Sequence, residues 1–175
     1  DADALASAEQ RLRMLYGIVF AASGLPALYM GDEIALGNDE GYIEDPLRAI
    51  EGRWLHRPMM DWPVADAVAA GGHADTTTDR IGSALRAMIA ARRSTPALRA
   101  DVPMRVLDFK HTALLGIARG DGFVALFNLS AQTVAATPPA ELAGSRWRDM
   151  LGDDEATVAL PVVLAPYALR WLRRE

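Results

Sequence analysis

The chain has 175 residues, 51% of them hydrophobic and 23% charged, with a formal net charge of −5 and no cysteine. That length accommodates one domain, or a small domain plus part of another. The composition excludes disulfide frameworks and cysteine-based zinc or iron–sulfur sites, shows no apolar run near the ~18 residues of a membrane span, and argues against nucleic acid as the main partner.

From about Ser7 to Ser23 the apolar residues Leu12, Leu15, Tyr16, Val19 and Ala22 recur at helical spacing, predicting a helix over 7–23. Gly24 and Pro26 stop it, because glycine accepts a left-handed cap and proline cannot continue the ladder. Ala27-Leu28-Tyr29-Met30 then reads as a short buried strand over 27–30. A helix, a tight turn and a buried strand form the repeating unit of a parallel α/β fold.

Residues 31–78 show no sustained periodicity and many Gly, Pro, Asp and Glu residues. Connections this long are usually functional loops. Trp54, Met59, Met60 and Trp62 supply apolar anchors, so a structured active-site loop is expected. Thr76-Thr77-Thr78-Asp79 offers N-cap residues for a helix over 79–94, with Ile81, Leu85, Met88 and Ile89 on its apolar face.

After Pro96 the pattern changes to short β-like runs: Met104–Phe109, Leu114–Ala118, Phe123–Leu129, Thr133–Ala136, Arg146–Met150, Ala156–Leu160 and Tyr167–Leu172. Gly120-Asp121-Gly122, Pro138-Pro139 and Gly152-Asp153-Asp154 separate several of them as turns. An antiparallel β-sandwich over 96–175 is expected, following an α/β part over 1–95.

Two stretches carry candidate chemistry. Gly31-Asp32-Glu33 follows the predicted strand directly, where the loops of a parallel barrel build active sites. The two carboxylates suit acid–base chemistry or sugar hydroxyls; alternatively, one caps a turn or braces the loop. In Gly52-Arg53-Trp54-Leu55-His56-Arg57-Pro58, arginine offers bidentate hydrogen bonds and tryptophan a flat face for a sugar ring. Alternatively, Trp54 only pins the loop, with Arg53 and Arg57 paired to Asp39, Glu40, Glu44 and Asp45. His56, His73 and His111 lack metal-ligand spacing, and no phosphate-binding glycine loop is present. No cofactor or metal is therefore expected.

Ser23-Gly24-Leu25-Pro26-Ala27-Leu28-Tyr29-Met30-Gly31-Asp32-Glu33 resembles the last barrel strand of α-amylase superfamily enzymes (glycoside hydrolase family 13), where a Gly-Leu/Ile-Pro turn leads into an apolar strand ending in Gly-Asp/Gln-Glu. Gly52-Arg53-Trp54-Leu55-His56-Arg57-Pro58 resembles the Ser-Arg-Trp-x-His-Arg-Pro of amylosucrases and sucrose hydrolases, with Gly52 in place of serine. Leu85–Ser94 and Ala165–Leu172 are similar to the helix before the C-terminal domain and the final strand of that group. The resemblance spans nearly all of this chain but only the last quarter or so of a family member.

The resemblance implies the final strand, loop and helix of a TIM (β/α)8 barrel, followed by the C-terminal β-sandwich. It implies a retaining glucosidase or transglucosidase that cleaves sucrose without a cofactor, transferring glucose to water or to an α-glucan acceptor. The nucleophile and acid/base of the family lie upstream of the matching segment, so no catalytic residue is assigned here and the isolated chain is expected to be inactive. Arg53 matches the arginine that closes the glucose pocket by pairing with an upstream aspartate, and is the substrate-binding candidate. Asp32, Glu33, Trp54, His56 and Arg57 are candidates for loop support. The expected macromolecular partner is the missing N-terminal part of the same enzyme or a second copy of the chain, with no nucleic acid or membrane. The lack of cysteine suits a cytoplasmic location. The rival readings are another glucosidase of the superfamily, or a non-catalytic carbohydrate-binding or assembly module.

Overall fold

The computed structural model describes residues 1–72, 76–152, 157–159 and 161–175. His73 and the turn residues Asp153 and Asp154 lie outside the described residues. The chain forms two compact units, one of residues 1–27 with 86–175 and the other of residues 28–85.

In the first unit, helix α1 (Ala2–Ala21) starts earlier than the sequence pattern predicts. The Asp1 carboxylate accepts the Asp3 N–H at 3.0 Å, and this N-cap lets the helix extend through its alanine-rich first turns. The helix ends where Ala22 turns extended and Gly24 takes φ +86°.

The predicted apolar face of α1 is buried only in part, at Tyr16. Met14, Tyr16, Gly17, Phe20 and Ala21 are buried, whereas Leu15 is 54% and Val19 38% exposed. The helix is apolar on more than one side, and packing selects the side carrying Gly17. A Cβ there would stand 3.1 Å from Leu169 and 3.2 Å from Phe127, so the missing side chain permits close approach to the sheet.

The β-strands are β1 (Met104–Leu107), β2 (Leu114–Arg119), β3 (Phe123–Asn128), β4 (Val134–Ala136), β5 (Arg146–Asp149), β6 (Thr157–Ala159), β7 (Val162–Leu164) and β8 (Leu169–Arg174). Among the described residues they form an antiparallel six-stranded sheet, ordered β1-β2-β3-β8-β5-β6, and an antiparallel pair β4-β7.

Strand β3 explains this arrangement. All six of its residues are buried, so both faces of the sheet are covered at its centre. Side chains alternate between faces. Phe123, Ala125 and Phe127 share the α1 side with Trp171, and Phe123 meets Trp171 edge-on at 5.5 Å. Val124 and Leu126 join Leu107, Trp147 and Leu172 in a core that also takes Ala136 from β4 and Leu164 from β7. The two sheets thus enclose one core. Each large side chain buried there contributes about 1.5–3 kcal/mol.

Helix α3 (Thr77–Ser94) buries Ile81, Leu85 and Met88 as its spacing predicts. Within unit 1, Arg92 from its last turn donates to the carbonyls of Phe20, Ala22 (3.0 Å) and Gly24 (2.8 Å). These bonds satisfy carbonyls left open where α1 ends.

The strand expected over 27–30 does not form. Residues 25–29 carry no regular structure, and Leu28, Tyr29 and Met30 are 36%, 53% and 55% exposed. A strand exists only through ladder hydrogen bonds to a neighbour, and none of the described strands pairs with this run. Among the described residues no barrel forms. The segment 31–78, expected as a loop, holds helix α2 (Trp62–Ala69), capped by Asp61 through a 3.1 Å bond from Val64 N–H, and 3-10 turns at Asp32–Ile34, Glu40–Glu44 and Gly52–His56.

Candidate functional site

Residues 28–85 contain a pocket of about 460 Å³, lined from two directions in sequence. Tyr29, Met30, Gly31, Asp32, Leu36, Gly37 and Asn38 come from the start of the unit, and Arg53, His56, Arg57 and Pro58 from the Arg-Trp segment.

The first wall is held by a compact turn. Gly31 has φ +104°, a conformation that favours glycine, and a Cβ there would crowd Leu36 Cδ2 at 3.0 Å. Its carbonyl accepts the N–H groups of Ile34 at 3.1 Å and Leu36 at 2.9 Å. Its own N–H donates to Glu33 Oε2 at 2.7 Å. One carboxylate of the pair therefore hydrogen-bonds to the local backbone, while its neighbour Asp32 lines the pocket.

The second wall is the 3-10 turn Gly52–His56. Asp39 N–H donates to Leu55 O at 2.9 Å and joins the two walls by backbone. His56 Nδ1 lies 3.1 Å from Asn38 Oδ1, joining them again by side chains. Arg48 holds Trp54 in place: its guanidinium lies 5.1 Å from the ring centroid and also pairs with Asp39 at 3.6 Å and Asp45 at 3.3 Å.

The partners of the arginines differ from the pairing considered from sequence. The acidic residues Asp39 and Asp45 are taken by Arg48, which the sequence analysis did not single out although it sits three residues after Asp45. Arg53 pairs with Glu51, its side chain 72% exposed. Arg57 has no ion-pair partner among the described residues. Tyr29, Met30 and Asn38 are further pocket residues that the sequence analysis missed. Tyr29 and Met30 fall in the expected strand over 27–30, and Asn38 has no motif around it.

Arg53, Arg57 and His56 supply polar hydrogen-bonding groups, Asp32 a carboxylate and Tyr29 an exposed ring. This set matches a hydroxyl-rich ligand with flat apolar faces. Among the described residues no group of His, Asp or Glu is arranged to hold a metal ion. No helix among them is long and apolar enough to cross a membrane.

No family model matches the sequence. The fold is similar to parts of several solved enzymes. Against maltogenic amylase from S. marinus the TM-score is 0.62 at 21% identity, over 94% of this chain and 19% of that one. Against the α-amylase of Geobacillus thermoleovorans, solved with acarbose, it is 0.64 at 20% identity, over 95% and 33%. Against the trehalulose synthase of Pseudomonas mesoacidophila MX-45 it is 0.61 at 16% identity, over 95% and 38%.

These neighbours are enzymes of the α-amylase superfamily, and the chain spans from about a fifth to two fifths of their length. The likeness establishes a fold: a small α/β domain with an antiparallel sheet.

Proposed function

We propose that this chain is the C-terminal portion of a retaining sucrose-cleaving enzyme, either a sucrose hydrolase or an α-glucan-forming transglucosidase. In this reading residues 1–95 complete a (β/α)8 barrel and 96–175 form the C-terminal β domain. The observation that carries the reading is the convergence of Asp32, Arg53, His56 and Arg57 on one pocket, because these come from the two motifs resembling the amylosucrase group.

Sucrose cleavage requires a carboxylate to attack C1 of the glucosyl unit while an acid protonates the departing fructose oxygen; water or a glucan hydroxyl then releases the glucosyl group. Both reacting carboxylates belong to other parts of the enzyme. The role of this chain is to close the glucosyl pocket. The exposed guanidinium of Arg53 is the group that would meet an aspartate from the rest of the enzyme, leaving room for one terminal glucosyl unit. The paired N–H groups of a guanidinium match a carboxylate in a way an ammonium does not.

The rival reading of the β domain as a carbohydrate-binding module needs exposed aromatic rings on the sandwich. Of the sandwich aromatics Trp147, Tyr167 and Trp171, Trp147 is 1% exposed and Trp171 0%, while Tyr167 is half-buried with the Arg11 guanidinium 4.5 Å from its ring centroid, which leaves no exposed platform among the three.

Fructose release from sucrose tests the proposal. The full-length enzyme should release it, and Arg53→Ala should lower kcat/KM by about 10²-fold, the equivalent of a charged hydrogen bond of about 3 kcal/mol. Unchanged kinetics would remove Arg53 from the pocket, and release of fructose by the 175-residue chain alone would refute the division of labour.

A further inference from the structure

A side-chain hydrogen bond joins two residues of the pocket wall, with His56 Nδ1 3.1 Å from Asn38 Oδ1. An amide oxygen accepts and cannot donate. The contact therefore puts the proton of the neutral imidazole on Nδ1, and the other ring nitrogen, Nε2, carries a lone pair. His56 is exposed in the pocket wall, and its Nε2 has no hydrogen-bond partner among the described residues.

The neighbouring side chains give this acceptor its use. The guanidiniums of Arg53 and Arg57 on the same wall only donate. A sugar hydroxyl accepts and donates through one oxygen. Once it has received a bond from an arginine it still has a proton to place, and Nε2 takes it. A ligand with fluorine or hydrogen in place of that hydroxyl leaves Nε2 unmet, and a site built to bond a hydroxyl rejects the analogue that lacks it.

We infer that His56 is a specificity-determining residue, accepting a hydrogen bond through Nε2 from one hydroxyl of the glucosyl unit. Asn38 is its positioning residue, fixing the ring and its tautomer. This goes beyond the loop support expected of His56, because a histidine that only braced the turn would leave ligand selection unchanged. The inference rests on the reading of this pocket as the glucosyl pocket.

Binding of glucose and of its monodeoxy and monofluoro derivatives to the full-length enzyme tests it, read by titration calorimetry without turnover. At one ring position both replacements should weaken binding by at least about 5-fold, since each removes the donated proton. His56→Asn keeps a polar group toward Asn38 but offers nothing at the place of Nε2, and should bind glucose and both derivatives alike at that position. His56→Gln carries an amide oxygen to that place and should restore part of the discrimination. Nitrogen NMR of the enzyme labelled at its histidines gives a readout that needs no sugar. The His56 signals, identified by their absence in His56→Asn, should report a protonated Nδ1 and an unprotonated Nε2, and Asn38→Ala should redistribute the proton between them. Discrimination that survives in His56→Asn overturns the inference, as does a panel in which every fluoro derivative binds like glucose. A protonated Nε2 beside a bare Nδ1 overturns it as well. These binding and NMR results in an enzyme that releases no fructose from sucrose would support the role of His56 and refute the sucrose reading alone; fructose release without them would refute only the role of His56.

Discussion

The guanidinium of Arg119 meets the carbonyl oxygen of Ala22 at 2.6 Å, at the C-terminal end of α1. Arg119 has no exposed area, and it also donates to the carbonyls of Ala21 at 2.8 Å, Arg99 at 2.6 Å and Val102 at 2.8 Å. Arg92 shares the Ala22 carbonyl at 3.0 Å. The last turn of α1 contains no basic residue, so β2 and α3 supply the two cations that answer its open carbonyls and negative dipole end. Burial first, and then the charge of Arg92, lower the Arg119 guanidinium pKa, yet a guanidinium stays protonated at any ordinary pH.

Arg119→Met should therefore destabilise the chain by about 3 kcal/mol or more, since it strips hydrogen bonds from four carbonyls at once. The midpoint of urea unfolding reads this directly. Arg119→Lys should recover little, because one ammonium cannot span the positions that a planar fork reaches. Full recovery by lysine would show that charge alone matters there.

Gly116 pairs with Leu107 across β1 and β2, in a spot already filled. A Cβ would collide with the ring of Phe109, with Cδ2 at 2.9 Å, and would stand 3.0 Å from Leu107 Cβ. Overpacking of this kind costs about 1–3 kcal/mol. Gly116→Ala should lower the melting temperature, and Gly116→Ala with Phe109→Leu should regain part of the loss. A single variant as stable as the parent would show that Phe109 moves aside freely.

Asp108 and Lys110 form an exposed pair with a defined pH signature. The Lys110 side chain, and then its backbone N–H at 2.8 Å, hold the Asp108 carboxyl below the usual carboxylate range; Asp108 in turn raises the Lys110 ammonium. The Asp108 contribution is present above its unfolded value of about 3.9 and is lost as pH falls through the lower folded value. The Lys110 contribution is present below about 10.4 and is lost as pH rises through its higher folded value. Titration of the Asp108 carboxyl by NMR should give a midpoint below the ordinary one. Lys110→Ala should move it only part of the way back, because residue 110 keeps its N–H. A midpoint already at the ordinary value would mean that the pair does not form in solution.

Arg53 should separate folding from function. Its side chain is 72% exposed and pairs with Glu51, and surface pairs of this kind contribute about 0–1 kcal/mol. Arg53→Ala should leave thermal unfolding of the full-length enzyme nearly unchanged while sucrose turnover falls. A large drop in stability with proportionate loss of activity would instead assign it a structural role.

Much of the β domain is legible in the sequence. Seven apolar runs, several of them separated by turn residues, fall at seven of the eight strands among the described residues, since β-propensity and turn chemistry are local. The missed strand, β7, is three residues long and follows Pro161 at once, too short to show a period. Helices α1 and α3 are likewise legible, with α1 beginning earlier than its apolar repeat because Asp1 caps it.

The site is legible as motifs and not as partners. The two segments stand out by composition, but a salt bridge depends on distance through space, and only the folded turns show that Arg48 and not Arg53 takes Asp39 and Asp45.

By itself the sequence determined the local elements: a helix capped at Thr76–Asp79, turns at Gly120–Gly122 and Pro138-Pro139, and the short apolar strands they separate. Which side of α1 is buried was a tertiary decision, made by the small profile of Gly17 against Phe127 and Leu169. So was the failure of residues 27–30 to become a strand. Periodicity is encoded residue by residue, whereas a buried face and a β-ladder exist only when a second surface comes to meet them.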